Sequence, residues 1–131
     1  MADVAELLAS VVRAEQVHSG DDVNEDYGHD ECLTVAAQLP SAVVVPESTD
    51  DVAAVLALAN AHGIPVTARG SGTGLSGACI PRSDGIVVSF EKMNEILEID
   101  TENHMAVVQP GVSLDELDEA LRPHGLVYPV F

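Results

Sequence analysis

Apolar and polar positions along this chain follow several distinct rhythms. In residues 3–15, Val4, Leu7, Leu8, Val11 and Val12 recur at i, i+3, i+4, i+7 and i+8. That 3.6-residue period places them on one face of a helix. Asp3 stands where an N-cap belongs. The period is lost over residues 16–40, which are polar and irregular as far as Leu39-Pro40. They predict an extended arm carrying Tyr27-Gly-His-Asp30.

A second rhythm starts after the arm. Ala42-Val-Val-Val45 is a continuous apolar, β-branched run, the mark of a strand buried on both faces, and Pro46 ends it. Ser48 or Thr49 caps a helix that runs to about His62, with Val52, Val55, Leu56 and Ala59 turned inward. Asp50 and Asp51 fall in its first turn, where carboxylates suit the helix dipole, and Gly63 is the expected C′ glycine. Residues 65–68 predict a second strand. Strand, helix and strand within about 27 residues form a βαβ unit, parallel and right-handed. Residues 86–89 predict a third strand. Residues 95–100 and 105–109 alternate polar and apolar around the turn 101–104, which predicts an antiparallel hairpin. Ser113-Leu-Asp-Glu116 is a capping box for a helix that buries Leu114, Leu117 and Leu121. Gly125 closes that helix, and Pro123 makes its last turn irregular. The pattern as a whole is an α/β fold: a small parallel βαβ sheet, then an antiparallel hairpin and a helix.

Charge narrows the partners. The chain has 131 residues with 5 Lys plus Arg against 22 Asp plus Glu, a formal net charge of −17. Such a field repels nucleic-acid backbones and anionic lipid heads. An anionic ligand must therefore be held by backbone N–H groups and one or two local cations. Aromatics are 3% with no Trp, too few for a stacking platform for sugars or single strands. Cys32 and Cys79 belong to no metal or redox spacing and read as reduced thiols. No apolar run reaches the roughly 20 residues of a membrane span, and the N-terminus is acidic where a secretory leader is basic. These features predict a soluble, cytoplasmic chain. Residues 125–131 are apolar up to Phe131, which predicts a cut through a longer protein.

The chemistry is concentrated in Arg69-Gly-Ser-Gly-Thr-Gly-Leu-Ser-Gly77. Glycines allow positive φ and close approach of a ligand to the backbone. Successive N–H groups can then converge into an anion-binding nest. Ser71, Thr73 and Ser76 add hydroxyl donors, and Arg69 is one of few cations. A diphosphate is the natural guest. A Walker A loop is excluded, because the only lysine is Lys92. Gly72, Gly74 and Gly77 do spell the Rossmann fingerprint, but Pro81 and a strand follow where that fingerprint requires a helix. Asp26, His29, Asp30, Glu31 and Cys32 have metal-ligand types without metal-ligand spacing and read as a solvated acidic arm. His104 and His124 read as surface histidines, and Asp115, Glu116, Asp118 and Glu119 as a solvated helix face.

Five blocks carry a family resemblance: Pro40-Ser-Ala-Val-Val-Val-Pro46, the glycine loop, Met93-Asn-Glu-Ile-Leu-Glu-Ile-Asp100, Val107-Val-Gln-Pro-Gly111 and Pro123-His-Gly-Leu-Val-Tyr-Pro129. In order and spacing the chain resembles the FAD-binding domain of the vanillyl-alcohol-oxidase (PCMH-type) flavoproteins. Within that family it looks most like the branch of glycolate oxidase subunit GlcD and FAD-linked D-lactate dehydrogenase, which the Tyr27-Gly-His-Asp30 arm also matches. The resemblance implies residues 1–39 as an N-terminal helix and arm, and 40–131 as the first part of the FAD domain. It implies FAD, bound non-covalently because the glycine loop holds no histidine. The pyrophosphate would rest on Gly70, Ser71, Gly72, Thr73, Gly74 and Ser76, with Arg69 and Leu75 of the same loop also contacting the cofactor. Pro46 would border the adenosine, and Tyr128 and Pro129 would approach the flavin. Relatives continue into a second FAD-contacting stretch and a cap domain that carries the catalytic histidines. The resemblance therefore implies that this chain holds the cofactor cradle but no catalytic residue, the 2-hydroxy-acid substrate being met only in the full-length enzyme. It also implies self-association through exposed apolar edges. A non-catalytic interaction module, or the FAD domain of a UDP-N-acetylenolpyruvylglucosamine reductase, are the alternatives that the residues leave open.

Overall fold

The run Ile86-Val-Val-Ser89 has no polar face, and all four of its residues are buried. Such a strand is satisfied only at the centre of a sheet with both faces covered. The computed structural model, which describes residues 3–129, places it there. In chain order the elements are α1 (Val4–Ala9), β1 (Val17–Ser19), β2 (Ala42–Val44), α2 (Thr49–His62), β3 (Val66–Arg69), β4 (Ile86–Ser89), β5 (Ile96–Asp100), β6 (Met105–Val108) and α3 (Leu114–Leu121). The first sheet has the order β1-β2-β4-β3, and β5 and β6 make a second. Val130 and Phe131, on which the apolar chain end was read, lie outside the described residues.

β2 and β3 are both parallel to β4, in register Val43↔Val87 and Thr67↔Val87. The βαβ reading therefore has the right parallel sense, but its two strands are not neighbours, because β4 lies between them. The alternation explains the order. β2 and β4 are buried throughout, whereas Val66 and Ala68 of β3 are exposed, so β3 takes the edge. One face of the sheet packs Ala42, Val44, Ile86 and Val88 with Leu8, Val12 and Val55. The other packs Val43, Val45 and Val87 with Val23 and Tyr27 of the arm. Each fully buried valine or isoleucine contributes about 1.5–3 kcal/mol relative to exposure.

The N-terminal segment departs from the expected helix and irregular arm. α1 stops at Ala9, where the Ser10 hydroxyl donates to Leu7 O at 2.6 Å and competes with the helical ladder. Val12 still reaches the core, but Val11 is exposed. The arm then supplies β1, antiparallel to β2 with Val17↔Val44. Three residues are too few to show a period, and what recruits them is the open edge of β2. Gln16 anchors the junction: its Nε2 donates to Val45 O at 3.2 Å and to Asp51 Oδ2 at 2.9 Å.

α2 starts as expected, with Ser48 Oγ accepting from Asp51 N–H, and ends at Gly63 with φ 64°. Val55 and Ala59 are buried, but Leu56 is 46% exposed rather than inward. The hairpin β5–β6 is antiparallel, with a register shift between Ile96 and Glu98. α3 carries the capping box and buries Leu117 and Leu121. Leu114 stays exposed, because the two-stranded sheet is too narrow to cover the first turn. Gly111 joins the two parts: its N–H donates to Met93 O at 2.8 Å, and a Cβ there would overlap the Phe90 carbonyl oxygen.

Candidate functional site

The glycine loop leaves the C-terminal end of β3, at the edge of the sheet beside β4. In open α/β sheets, ligands bind outside the carboxyl ends of the strands. Arg69 is the last residue of β3 and is buried. Its Nη1 donates to His29 O at 2.6 Å, and its guanidinium lies 5.8 Å from the centre of the Tyr27 ring. Among the described residues it forms no ion pair with a carboxylate, unlike Arg13, Arg82 and Arg122. A buried cation without a carboxylate partner is available to an anionic guest.

Gly72 lies directly over that guanidinium. Its φ is 74°, and a Cβ added there would overlap Arg69 Nη2. The position therefore demands glycine for two reasons, the left-handed backbone and the space taken by arginine. Gly77 also has positive φ, 76°, with Val35 of the arm at 3.2 Å from a would-be Cβ. Ser71 Oγ and Thr73 Oγ1 lie 3.1 Å apart. Arg69, Ser71 and Gly72 line a cavity of about 380 Å³ together with Tyr27, His29 and Glu91. The close backbone approach at Gly72, the neighbouring Ser71 and Thr73 hydroxyls and one buried cation are the donor set that the pyrophosphate of a dinucleotide needs, and Asp26, Glu31 and Glu91 line the same cavity.

The other expected site residues spread further. Gly70 sits beside Pro110 O, at 3.7 Å from a would-be Cβ. Gly74 faces Asp30, while Leu75 and Ser76 are exposed at the loop tip. Pro46 is fully buried behind β2. Tyr128 lines a separate, more apolar cavity of about 530 Å³ between β6 and α3, with Leu117 and Leu121, and Pro129 is exposed next to it in the chain. The structure thus gathers residues 69–74 and leaves Pro46, Tyr128 and Pro129 apart from them.

Asp26, His29 and Glu31 of the acidic arm are exposed, as expected, but Asp30 is not. Asp30 is 7% exposed. Its Oδ1 accepts from Cys32 N–H at 3.0 Å and its Oδ2 from Cys79 N–H at 3.4 Å. Glu31 N–H donates to Gly74 O at 3.0 Å. Tyr27 donates its phenol to Glu91 Oε1 at 2.6 Å. Burial, followed by that hydrogen bond to a carboxylate, pushes its pKa up to about 12. The Cys32 thiol is lowered from its ordinary value, chiefly by its hydrogen bond to Thr34. The contacts of Asp30 with Cys79 and of Tyr27 with Glu91 escaped the sequence reading because the partners lie 49 and 64 positions away. The one available signal was the Tyr27-Gly-His-Asp30 match to the family.

Residues 40–131 match the family described as FAD binding domain. The chain belongs to that family. An uncharacterized FAD-linked oxidoreductase of Mycobacterium tuberculosis is 45% identical over 131 residues, 100% of this chain and 28% of the relative. A D-lactate dehydrogenase of Anaerostipes hadrus is 40% identical over 118 residues, 90% of this chain and 25% of the relative. The glycolate oxidase subunit GlcD of Bacillus subtilis is 44% identical over 91 residues, covering 70% and 19%. In shape, the crystal structure of p-cresol methylhydroxylase superposes with a TM-score of 0.75 at 24% identity, over 93% of this chain and 24% of that one. The fold is therefore PCMH-type, and FAD is the cofactor. The chain spans about a quarter of the length of these curated relatives. No helix of this FAD-binding domain is, among the described residues, long and apolar enough to cross a membrane.

Proposed function

We propose that this domain cradles the FAD pyrophosphate on residues 69–76, non-covalently, within an enzyme that oxidises a 2-hydroxy acid of the lactate or glycolate type. Bound FAD supplies the two-electron acceptor for that oxidation. This chain's own residues bind and orient. Gly70, Gly72 and Gly74 let the backbone amides turn toward phosphate oxygens, Ser71 and Thr73 add hydroxyl donors, and Arg69 balances charge from beneath. No histidine stands in the loop to form a covalent link. Pro46, Tyr128 and Pro129 are assigned to the adenosine and flavin ends by family resemblance alone. The 2-hydroxy-acid class is supported by the identity to D-lactate dehydrogenase and GlcD. Cys32 and Cys79 are both free thiols, in keeping with a reducing, cytoplasmic setting.

The observation that carries the pyrophosphate assignment is Gly72, held at positive φ against a buried arginine that has no carboxylate partner among the described residues. The test is an FAD titration followed by flavin fluorescence, on the wild-type chain and on Gly72→Glu. The substitution puts a side chain and a negative charge where phosphate would lie, so affinity is expected to fall on the order of a hundredfold or more. Equal affinity of the two proteins would overturn the assignment.

A further inference from the structure

We propose that Asp30 is the positioning residue of the FAD loop, a latch that ties the N-terminal arm to the returning limb of residues 69–79 and holds the loop amides ready for phosphate. The proposal rests on the pyrophosphate reading above and goes beyond it, to a carboxylate that touches no cofactor. Asp30 is buried in a chain of 22 acidic residues, almost all of them solvated. Burying a carboxylate is unfavourable unless hydrogen bonds compensate for its lost hydration. Here both oxygens are used, one within the arm at Cys32 N–H and one on the returning limb of the glycine loop at Cys79 N–H. Two neighbours extend the clamp. The Glu31 amide holds the Gly74 carbonyl, and the His29 carbonyl holds the Arg69 guanidinium. His29 thus fixes the start of the loop, Glu31 its middle and Asp30 its end.

The bond at Gly74 has a specific consequence for the ligand. With its carbonyl drawn to Glu31, the peptide that follows Gly74 is fixed in orientation. An arm that captures carbonyl oxygen leaves N–H groups for the ligand, which is what an anion nest requires. A loop with four glycines has a high conformational entropy when free. Without the latch, FAD binding would have to supply the ordering itself, and apparent affinity would fall by the fraction of time the loop is formed.

The experiment compares wild type, Asp30→Asn and Asp30→Glu, with Gly72→Glu as the control for the parent reading. Asn keeps the shape but turns an N–H₂ toward one of the two amides. Glu keeps both acceptors on a longer stem. Amide hydrogen exchange is read at residues 70–79, with β2 and β4 as internal reference, alongside FAD affinity by fluorescence. Asp30→Asn is expected to speed exchange in the loop about tenfold, leave β2 and β4 unchanged, and weaken FAD about tenfold. Asp30→Glu is expected to recover part of both. Unchanged loop exchange in Asp30→Asn overturns the latch. Equal acceleration in β2 and β4 also overturns it, because Asp30 would then be a general stability element. Faster loop exchange with unaltered FAD affinity, while Gly72→Glu abolishes binding, overturns its role in positioning. Gly72→Glu binding FAD like wild type defeats the pyrophosphate reading itself, and is told apart because the exchange data still report on the latch.

Discussion

The two sheets of this molecule are built from similar amounts of apolar sequence and end up very different. In the first, β2 and β4 are buried at every position, with helices on one face and the arm on the other. In the second, Leu97, Met105, Val107 and Val108 of the hairpin remain exposed, although β5 and β6 pair over most of their length. The difference is the number of layers. A strand is buried on both faces only when something packs on each. The first sheet has three layers, whereas the hairpin has α3 on one side. The functional loop grows from the three-layered part, where its anchors, Arg69 and Asp30, are held by a rigid surround.

The comparison is broken most severely by opening a hole in the first sheet. Ile86 is fully buried and pairs with both Ala42 and Val66. Ile86→Ala removes three carbons from between two layers and is expected to destabilise the chain by about 2–5 kcal/mol. Urea denaturation followed by far-ultraviolet circular dichroism checks it. A loss below about 1 kcal/mol, the range of ordinary surface changes, would show that the sheet relaxes around the hole and that the three-layer account is wrong.

Which parts of this were legible in the sequence follows the same division. β2, β4, α2 and the hairpin announce themselves, because each has a run long enough for its period or its β-branched composition to show. The glycine loop is legible because four glycines and three hydroxyls stand within nine residues. β1 is illegible, because Val17-His-Ser19 has no pattern and exists through the free edge of β2. The central place of β4 depends on which strand is most apolar, a comparison across the chain rather than within a window. Asp30 was misread for a related reason. Flanked by His29 and Glu31 it looks solvated, and only the fold brings Cys79 to it. Leu56 and Leu114 were assigned inward by period alone, which states that a face exists but not how wide a surface covers it.

In the second part a single cap carries more weight. Ser113 Oγ accepts from Glu116 N–H at 3.2 Å, while Ser113 N–H donates to Glu116 Oε2 at 2.8 Å. Ser113→Ala is expected to lower stability by about 1 kcal/mol. The same box gives a pH signature. The Ser113 amide, and then its hydroxyl, hold the Glu116 carboxyl below its ordinary value of 4.5. A group whose pKa is depressed on folding contributes stability above its unfolded pKa and loses it as pH falls through the folded value. Wild-type stability is therefore expected to drop below about pH 4.5 by more than that of Glu116→Gln, which has no carboxyl to protonate. Denaturation midpoints compared at pH 7 and pH 3 check it, and identical acid sensitivity would remove the box as its source.

The smallest effect sharpens the comparison from the other side. Val107 is 44% exposed on β6, opposite Glu98. Val107→Thr keeps the β-branched shape that suits a strand and exchanges a methyl for a hydroxyl that water can reach. Stability is expected to move by less than about 0.5 kcal/mol. The same exchange at Val87, fully buried between β2 and β3, puts a hydroxyl where nothing is free to receive it and should destabilise by about 1–3 kcal/mol. The pair of variants isolates layering from strand propensity, since both residues are valines in β-strands and the change is the same. Equal losses at the two positions would mean that the hairpin is covered in solution as fully as the first sheet, and a near-zero loss at both would mean that β4 is wetter than its full burial implies.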